Sequence, residues 1–303
     1  MSPMLTRRQA LASTAALPLA TALPARAEAP MLGASAATIR RVTLGGFEVT
    51  TMLSGMFPRE DAQSVFGMNV PEAEFDAVAD ANFVTPDFLN IPFTPTIVNT
   101  GSELVLFDTS PDPNLITASL TSAGYTPDQV DVVVITHMHG DHIGGLMMNG
   151  SATFPNARYV TGGVEFDHWA AQGNEGFEAS VRPLADQFSM IGDGDSVASG
   201  ITGIAAFGHT PGHMIYCIES EGQGLILFAD LANHPVFSLA HPDWEVLFDT
   251  DKEAAAASRR SLLTMMAEER LPTIGYHMPF PAFGYVAAHD GGFVWVAESG
   301  QLG

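Results

Sequence analysis

The chain has 303 residues, of which 46% are apolar, and its 34 acidic and 12 basic residues give a net charge of −22. This length and apolar content are enough to bury a sizeable core, in one large domain or two small ones. The negative charge repels phosphate backbones and anionic lipid, which argues against nucleic acid as a substrate. No stretch beyond the N-terminal segment reaches the roughly 20 apolar residues that a membrane-spanning helix needs.

The N-terminus has the three ordered parts of an export signal. Two arginines, Arg7 and Arg8, precede an Ala- and Leu-rich run, and Ala25-Arg26-Ala27 then fits a small-x-small cleavage site. This order resembles a twin-arginine (Tat) signal and predicts a periplasmic or secreted protein. Loss of the leader, with its three arginines and no acidic residue, would take the net charge to −25.

We predict a division into a signal peptide at 1–27, a flexible N-terminus at 28–38 and one folded domain at 39–303. The chain shows neither a linker nor a short-period repeat that would separate a second domain. A single cysteine, Cys217, excludes an intramolecular disulfide and is interpreted as a small buried hydrophobic residue.

The first part of the predicted domain contains two hairpins with an irregular segment between them. Strand-like runs meet at Gly45-Gly46 and again at Thr100-Gly101-Ser102, and both turns are typical of β-hairpins. Residues 57–95, rich in Pro and Phe, are expected to be irregular except for a short helix at 72–81. Long irregular segments in compact domains are more often functional than idle, so we expect a lid, a pocket wall or a dimer arm.

Helices and strands alternate through the rest of the chain. The predicted helices are 113–123, 164–171 and 253–270, and the predicted strands are 130–135, 158–161, 201–207, 213–218, 225–228 and 273–276, with a last hairpin turn at Asp290-Gly291. Strands mixed with helices, and hairpins beside crossovers, favour an α/β sandwich over a purely parallel sheet.

Three histidines and one aspartate lie within six residues, directly after the predicted buried strand 130–135. They are His137, His139, Asp141 and His142. In a loop, histidines two residues apart can turn their imidazoles toward one point, while the Asp-His pair faces a second point nearby. Neutral imidazole and carboxylate are the usual ligands of zinc and similar ions, so this cluster predicts a metal site.

The pattern His-x-His-x-Asp-His after a buried strand resembles the signature of the metallo-β-lactamase superfamily. Three further motifs follow in the family's order, GHTPGH at 208–213, LILFAD at 225–230 and GYHMPFP at 275–281. Upstream, LVLFDTS at 104–110 resembles the strand that ends in Asp-Thr-Gly, with Ser110 in place of the glycine. The resemblance runs from about residue 40 to the C-terminus and implies an αββα four-layer sandwich.

The resemblance also implies two divalent metal ions per chain. Seven ligands would hold them: His137, His139 and His213 on one metal, Asp141, His142 and His277 on the other, and Asp230 bridging both. Zinc is the default ion, with manganese, cobalt or iron as alternatives. A metal-bridging hydroxide would attack the substrate, with Asp141 and Asp230 as the catalytic residues that shuttle the proton.

Other polar and aromatic residues receive structural interpretations. His209 is expected to brace the GHTPGH turn rather than to bind metal, and Asp108 is expected to orient a ligand histidine. His234 and His241 follow the bridging aspartate and are either loop residues or substrate contacts. Seven phenylalanines suggest an apolar pocket, with core or subunit packing as the alternative: Phe57, Phe66, Phe83, Phe88, Phe93, Phe280 and Phe283.

Within the superfamily, the chain resembles the branch that holds methyl parathion hydrolase and quorum-quenching lactonases. The resemblance rests on GGFEVTTMLSG at 45–55, ADLANHPVF at 229–237 and GYHMPFPAFGYV from Gly275. It implies a homodimer that hydrolyses a lactone or ester of a small hydrophobic substrate. Asn233 stands where short acyl-homoserine lactonases usually have a tyrosine, which weakens a strict homoserine-lactone assignment.

Three alternatives stay open at this point. The chain could be an organophosphate triesterase of the methyl parathion hydrolase type or a thioesterase of the glyoxalase II type. It could also be a mononuclear iron dioxygenase of the same fold, which the number of metal ions per chain would reveal.

Overall fold

Eighteen strands and six α-helices account for most of the computed structural model, which describes residues 37–300 and 302. The predicted signal peptide and most of the predicted flexible N-terminus lie outside these described residues. In chain order the strands are β1 (Ile39–Leu44), β2 (Phe47–Met52), β3 (Gly55–Glu60), β4 (Phe88–Phe93), β5 (Thr96–Asn99), β6 (Leu104–Phe107), β7 (Val132–Ile135), β8 (Met147–Met148), β9 (Ser151–Ala152), β10 (Arg158–Gly162), β11 (Phe188–Ile191), β12 (Ser196–Ala198), β13 (Ile201–Ala205), β14 (Met214–Ser220), β15 (Gln223–Ala229), β16 (Pro272–Gly275), β17 (Phe283–His289) and β18 (Gly292–Ala297). The helices are α1 (Glu72–Ala81), α2 (Pro113–Ala123), α3 (Gly140–Ile143), α4 (Gly163–Gln172), α5 (Glu175–Ser180) and α6 (Lys252–Glu269).

Two seven-stranded sheets form the frame of the molecule. The first has the order β1-β2-β5-β6-β7-β10-β11, and the second runs β12-β13-β14-β15-β16-β17-β18. The first sheet changes from antiparallel to parallel pairing at β6–β7, and in the second only β15–β16 is parallel. The predicted hairpins are confirmed, with Leu44 opposite Phe47 and Asn99 opposite Leu104.

Successive residues of each central strand lie on opposite faces of the sheet and pack in different layers. In β7, Val132 and Val134 belong to the core between the sheets, whereas Val133 and Ile135 pack with α2 and α5 on the other side. Helix α6 packs against β17 of the second sheet, and its Leu263 is buried in the core that this sheet helps to form. The layers are therefore helix, sheet, sheet, helix, which confirms the predicted αββα sandwich.

The segment 57–95 is more regular than expected. Its helix α1 occurs where predicted, but β3 and β4 pair as a separate antiparallel ribbon that belongs to neither large sheet. Pro58 lies inside β3, and a proline is tolerated there because a two-stranded ribbon leaves one edge of each strand unpaired. Prolines inside both strands, Pro58 and Pro92, explain why the sequence did not predict the ribbon.

Aromatic side chains pack α1 against the loop that follows β15. Phe75 stacks on Phe237 at 4.4 Å and on Trp244 at 5.6 Å between ring centroids, and Phe66 is buried in the same cluster. This third core holds the β3–β4 ribbon and α1 beside the second sheet. None of the described helices is long and apolar enough to cross a membrane.

Candidate metal centre

Parallel strand ends bring the predicted ligands together. Asp108 and His137 follow the parallel strands β6 and β7, and Asp230 and His277 follow the parallel strands β15 and β16. Polar groups at the carboxyl ends of parallel strands share one edge of their sheet. The two edges meet, since Asp230 Oδ1 lies 3.3 Å from His142 Nε2.

Three histidine nitrogens form a nearly equilateral triangle. His137 Nε2 lies 3.1 Å from His139 Nδ1, and His209 Nε2 lies 3.2 Å from the first and 3.1 Å from the second. A tetrahedral ion with zinc–nitrogen bonds of about 2.0–2.1 Å separates its ligand nitrogens by about 3.3 Å. The triangle therefore has the size of one face of a zinc coordination sphere.

A second group of ligand atoms lies beside the first. Asp141, His142 and His277 bring ligand atoms within 4.8 Å of one another. Asp230 lies between the two groups, with Oδ2 3.4 Å from His209 Nε2 and 3.1 Å from His277 Nε2. His142 Nε2 and Asp230 Oδ1 are buried without a hydrogen-bond partner in the described part of the chain, and a cation would satisfy both.

Acceptors on the protein hold the outer nitrogens of three of these rings, and a carboxylate faces that of a fourth. The acceptor is Thr136 Oγ1 for His137 (3.1 Å), Asp249 Oδ1 for His209 (3.0 Å) and the Pro92 carbonyl for His277 (2.8 Å), and Asp108 Oδ2 lies 2.9 Å from His142 Nδ1 as an ion-pair partner. An outer nitrogen that donates its proton leaves the inner lone pair free for a metal. The predicted contact between Asp108 and a ligand histidine is present.

Burial and the nearby carboxylates determine the pKa values of the histidines in the centre. Burial and neighbouring histidines hold the pKa values of His137 and His139 well below the usual range, so both rings are neutral. Burial also lowers the pKa of His142, but the carboxylates of Asp230 and Asp108 outweigh it and raise that pKa well above normal. A cation held by His142 would therefore displace a proton from this ring.

The third histidine of the first group is His209, and the prediction of His213 in that place needs correction. His213 is fully buried, its Nδ1 donates to the Ala206 carbonyl at 3.1 Å, and its Nε2 accepts from the Asp230 amide at 3.2 Å. Because both ring nitrogens are engaged with the backbone, His213 has no lone pair to offer. The GHTPGH motif contains two histidines, and only their three-dimensional contacts distinguish the brace from the ligand.

Glu165, which the sequence did not single out, connects the two histidine loops. Its buried carboxylate accepts from the Met138 amide (2.8 Å) and Trp169 Nε1 (2.7 Å) through Oε1, and from Thr210 Oγ1 (2.7 Å) and the Gly212 amide (2.9 Å) through Oε2. Met138 separates His137 from His139, and Thr210 follows His209. One side chain thus fixes the loops that supply all three nitrogens of the triangle.

A buried ion pair supports His209 from the opposite side. Asp249 accepts from His209 through Oδ1 and from Arg259 Nη1 through Oδ2, at 3.0 and 2.7 Å. Arg259 is 1% exposed and also donates to the carbonyls of Pro242 and Trp244. This contact could not be predicted from the sequence, because Asp249 and Arg259 lie 40 and 50 residues beyond His209.

A cavity of about 390 Å³ opens onto the ligand groups. Its apolar wall consists of Phe57, Ile91, Phe93 and Phe248, and its polar lining includes Arg59, Asn233 and four of the candidate ligands, His139, Asp141, Asp230 and His277. Of the phenylalanines expected in a pocket, Phe57 and Phe93 line this cavity. Others serve elsewhere: Phe66 and Phe283 are buried in the cores, and Phe83 is 99% exposed.

The two histidines that follow Asp230 in the sequence, His234 and His241, do not line the cavity. His234 stacks on Phe237 at 4.5 Å and His241 on Trp244 at 4.2 Å, both within the aromatic cluster around α1. Their structural interpretation therefore agrees with the structure better than a substrate contact does. Asn233 does line the cavity, and its Nδ2 donates to Asp230 Oδ2 at 2.8 Å.

Comparison with known proteins gives a consistent set of relatives. An N-acyl homoserine lactonase of Bacillus cereus is 29% identical over 157 residues, which cover 51% of this chain and 58% of the relative. The chain therefore spans about half the length of the curated relatives that it matches. A "Beta-lactamase-like protein 2 homolog" of Caenorhabditis elegans is 28% identical over 159 residues, covering 46% of this chain and 48% of that protein.

Solved structures resemble the fold over most of its length. AidC, described as a dizinc quorum-quenching lactonase in complex with a product, is 25% identical with a TM-score of 0.79, covering 86% of this chain and 97% of AidC. The hydrolase AbOPH is 22% identical with a TM-score of 0.81, covering 88% of this chain and all of AbOPH, and at that identity it supports the fold alone.

The family assignment follows from a match over more than half of the chain. The description of the metallo-beta-lactamase superfamily fits residues 94–273, the stretch that carries the histidine cluster and Asp230. The chain belongs to the metallo-beta-lactamase superfamily.

Proposed function

We propose that the chain is a binuclear metal-dependent hydrolase that cleaves the ester bond of a lactone or of another small hydrophobic ester. One observation carries the proposal. Two groups of metal-ligand atoms share Asp230 and face an apolar cavity. Such a cavity, with few polar groups converging at one end, is typical of small-molecule sites.

The residues on each side of Asp230 would hold one ion each. His137, His139 and His209 would bind the first, and Asp141, His142 and His277 the second. Two adjacent divalent ions supply a nucleophilic water at neutral pH and polarise the oxygen that gains charge. Manganese, cobalt and iron suit this donor set as zinc does, so the metal is proposed as zinc by default.

The chain's own side chains would position substrate and move the proton. Asp141, whose side chain is 26% exposed at the cavity, is accessible to a departing alcohol, whereas Asp230 is held by the Asn233 amide. Phe57, Phe93 and Phe248 exclude water from one side of the bond that breaks. We propose Asp141 as the proton carrier and Asp230 as the carboxylate that fixes the spacing of the two ions.

The lactone assignment draws support from the named activities of the relatives, N-acyl homoserine lactonases that match about half of their length. Asn233 is a departure from the tyrosine expected at this position in short acyl-homoserine lactonases. For that reason the proposal extends to lactones and esters in general. Phosphotriester hydrolysis and iron-dependent oxidation are the competing outcomes of the test.

The test counts metal ions and measures hydrolysis on the same preparation. Wild type, Asp230→Ala and the exposed control Asp290→Asn would be assayed on acyl-homoserine lactones, γ- and δ-lactones, aryl esters and an aryl dialkyl phosphotriester. We expect two ions per chain, turnover of a lactone or ester, and at least a 100-fold loss in Asp230→Ala, as for removal of an electrostatic catalytic group. Phosphotriester turnover above all other activities would contradict the ester assignment, and one iron per chain without hydrolysis would contradict the hydrolase.

We also propose that residues 1–27 direct export through the Tat pathway. Support comes from the twin arginine, the apolar run and the cleavage site in the sequence alone. In a Tat-competent host, the mature N-terminus should begin at Glu28, and Arg7→Lys with Arg8→Lys should retain the full-length chain in the cytoplasm. Export of the double variant at the wild-type level would refute the assignment.

A further inference from the structure

The cavity contains one cation that the protein leaves without a counter-charge. Arg59 lines the cavity, and its buried Nε has no hydrogen-bond partner in the described part of the chain. Its guanidinium instead lies 5.0 Å from the ring centroid of Phe57 and 5.6 Å from that of Phe248. Two aromatic faces hold the charge in place without neutralising it.

The other seven arginines of the described chain are either paired or exposed. Six of them make hydrogen bonds to carboxylates, carbonyls or hydroxyls of the protein, namely Arg40, Arg41, Arg158, Arg182, Arg259 and Arg260. The seventh, Arg270, makes no such bond within the described residues but lies exposed to solvent, whereas Arg59 is partly buried in the cavity. In a chain with 34 acidic and 12 basic residues, a partner for one more arginine would be easy to provide. A guanidinium that is kept unpaired beside apolar walls is available to an external anion.

The ribbon fixes the position of this cation relative to the candidate metal centre. Gly55 pairs with Phe93, Phe57 with Ile91 and Arg59 with Leu89, so Arg59 lies on the same face of the ribbon as Phe57. Phe93 packs edge-on against His277 at 5.9 Å. Four residues along a strand span roughly 13 Å, which places Arg59 at the far end of the apolar wall from the ligands.

We propose that Arg59 binds a carboxylate at the distal end of the substrate, so that the preferred substrates are esters or lactones with an apolar spacer and a terminal acid group. This inference rests on the proposed hydrolase function. The planar guanidinium fork matches a carboxylate in two parallel hydrogen bonds. Two divalent ions would also outweigh the charges of Asp141 and Asp230, so both ends of the cavity would favour an anion.

Matched substrates test this assignment directly. The metal-loaded enzyme would be assayed with 4-nitrophenyl hexanoate, 4-nitrophenyl hydrogen adipate and the neutral methyl 4-nitrophenyl adipate, with the suberate series as a longer spacer. The variants are Arg59→Met, Arg59→Lys and the remote control Arg182→Met. We expect wild type to favour the acid in kcat/KM by about tenfold or more over the hexanoate, the scale of a hydrogen bond between charged groups.

Arg59→Met should abolish this preference, mainly through KM for the acid, whereas the remote control Arg182→Met should keep it. Arg59→Lys should restore part of it, because it keeps the charge but loses the fork. Equal losses on all three substrates, or no acid preference in wild type, would overturn the proposal. Equal preference for the acid and its methyl ester would also overturn it, since a neutral acceptor would then suffice.

Calorimetry measures the binding of monomethyl adipate and methyl hexanoate to the metal-loaded proteins. These data test the role of Arg59 independently of the proposed hydrolase activity. If neither an ester nor a lactone is hydrolysed, the hydrolase assignment fails while the binding data still decide the role of Arg59. A wild-type preference for the acid that Arg59→Met removes would support that role, and equal affinities would refute it.

Discussion

Replacing Glu165 with glutamine should weaken both the fold and the metal centre. The change keeps the shape of the side chain but replaces one acceptor oxygen with an amide that donates. Glu165 accepts four hydrogen bonds in a fully buried position. If the amide takes the place of Oε2, Thr210 can turn to accept from it, whereas the Gly212 amide cannot.

The cost can be worked from this geometry. One buried amide left unpaired costs about 1–3 kcal/mol, and the remaining bonds lose a charged acceptor. We therefore expect the free energy of unfolding to fall by about 2–4 kcal/mol. The loops of His139 and His209 lose their common anchor, so zinc affinity should fall about 10–100-fold, as for other groups that orient metal ligands.

Urea unfolding of the metal-free protein and zinc competition with a chromophoric chelator measure the two effects separately. Glu178→Gln is a matched control, because Glu178 is exposed and pairs only with Arg182 among the described residues. The control should leave stability and affinity at their wild-type values. A Glu165→Gln variant that does the same would refute the view that this carboxylate positions the centre.

Three further outcomes follow from neighbouring contacts. Asp249→Asn should lower the free energy of unfolding by about 3–5 kcal/mol, because its buried arginine partner loses its counter-charge, and zinc competition should show weaker binding as well; unchanged unfolding would contradict this. Gly212→Ala should destabilise by about 3 kcal/mol or fail to fold, since a Cβ would lie 2.1 Å from the backbone nitrogen of Glu165; a wild-type melting temperature would refute the clash. Burial lowers the pKa of His234 to about 3, so on acidification the unfolded chain takes up this proton at a higher pH than the folded chain does. The contribution of neutral His234 to the free energy of unfolding should therefore be fully present above about pH 6.5. It should fall by up to about 1.4 kcal/mol per pH unit as the pH drops toward 3. Unfolding curves of His234→Asn across that range should show a shallower decline, and an unchanged slope would exclude His234 as its source.

Most of the sandwich could be predicted from sequence because its signals are local. The hairpins have glycine turns, the buried strand β7 has an unbroken β-branched run, and α2 begins with Asp112 capping the Asn114 amide and ends at Gly124 with φ +89°. The β3–β4 ribbon was missed because each of its strands contains a proline, Pro58 and Pro92, and proline is depleted in strands. Its pairing depends on packing against α1 and on its place in the cavity wall. Neither can be recognised within a short stretch of sequence.

The candidate site was predictable in composition but not in detail. The cluster from His137 to His142 is dense enough to indicate a metal site on its own. His209 and His213 share one short motif, and they differ only in what surrounds them. His213 is taken up by backbone groups of two segments, and Glu165 and Asp249 reach the site from distant parts of the chain, so none of these roles could be predicted from spacing.

The carbonyl of Pro92 connects the candidate metal centre with the wall of the cavity, two parts whose sequences could otherwise vary independently. It orients His277 while the rest of its ribbon walls the cavity. Side-chain replacements along the ribbon can therefore change which molecules fit the cavity without disturbing His277, because the contact with His277 is made by a backbone carbonyl. Insertions or deletions there would move that carbonyl and with it His277, so a hydrolase of the proposed kind should acquire new substrates by substitution far more readily than by changes in loop length.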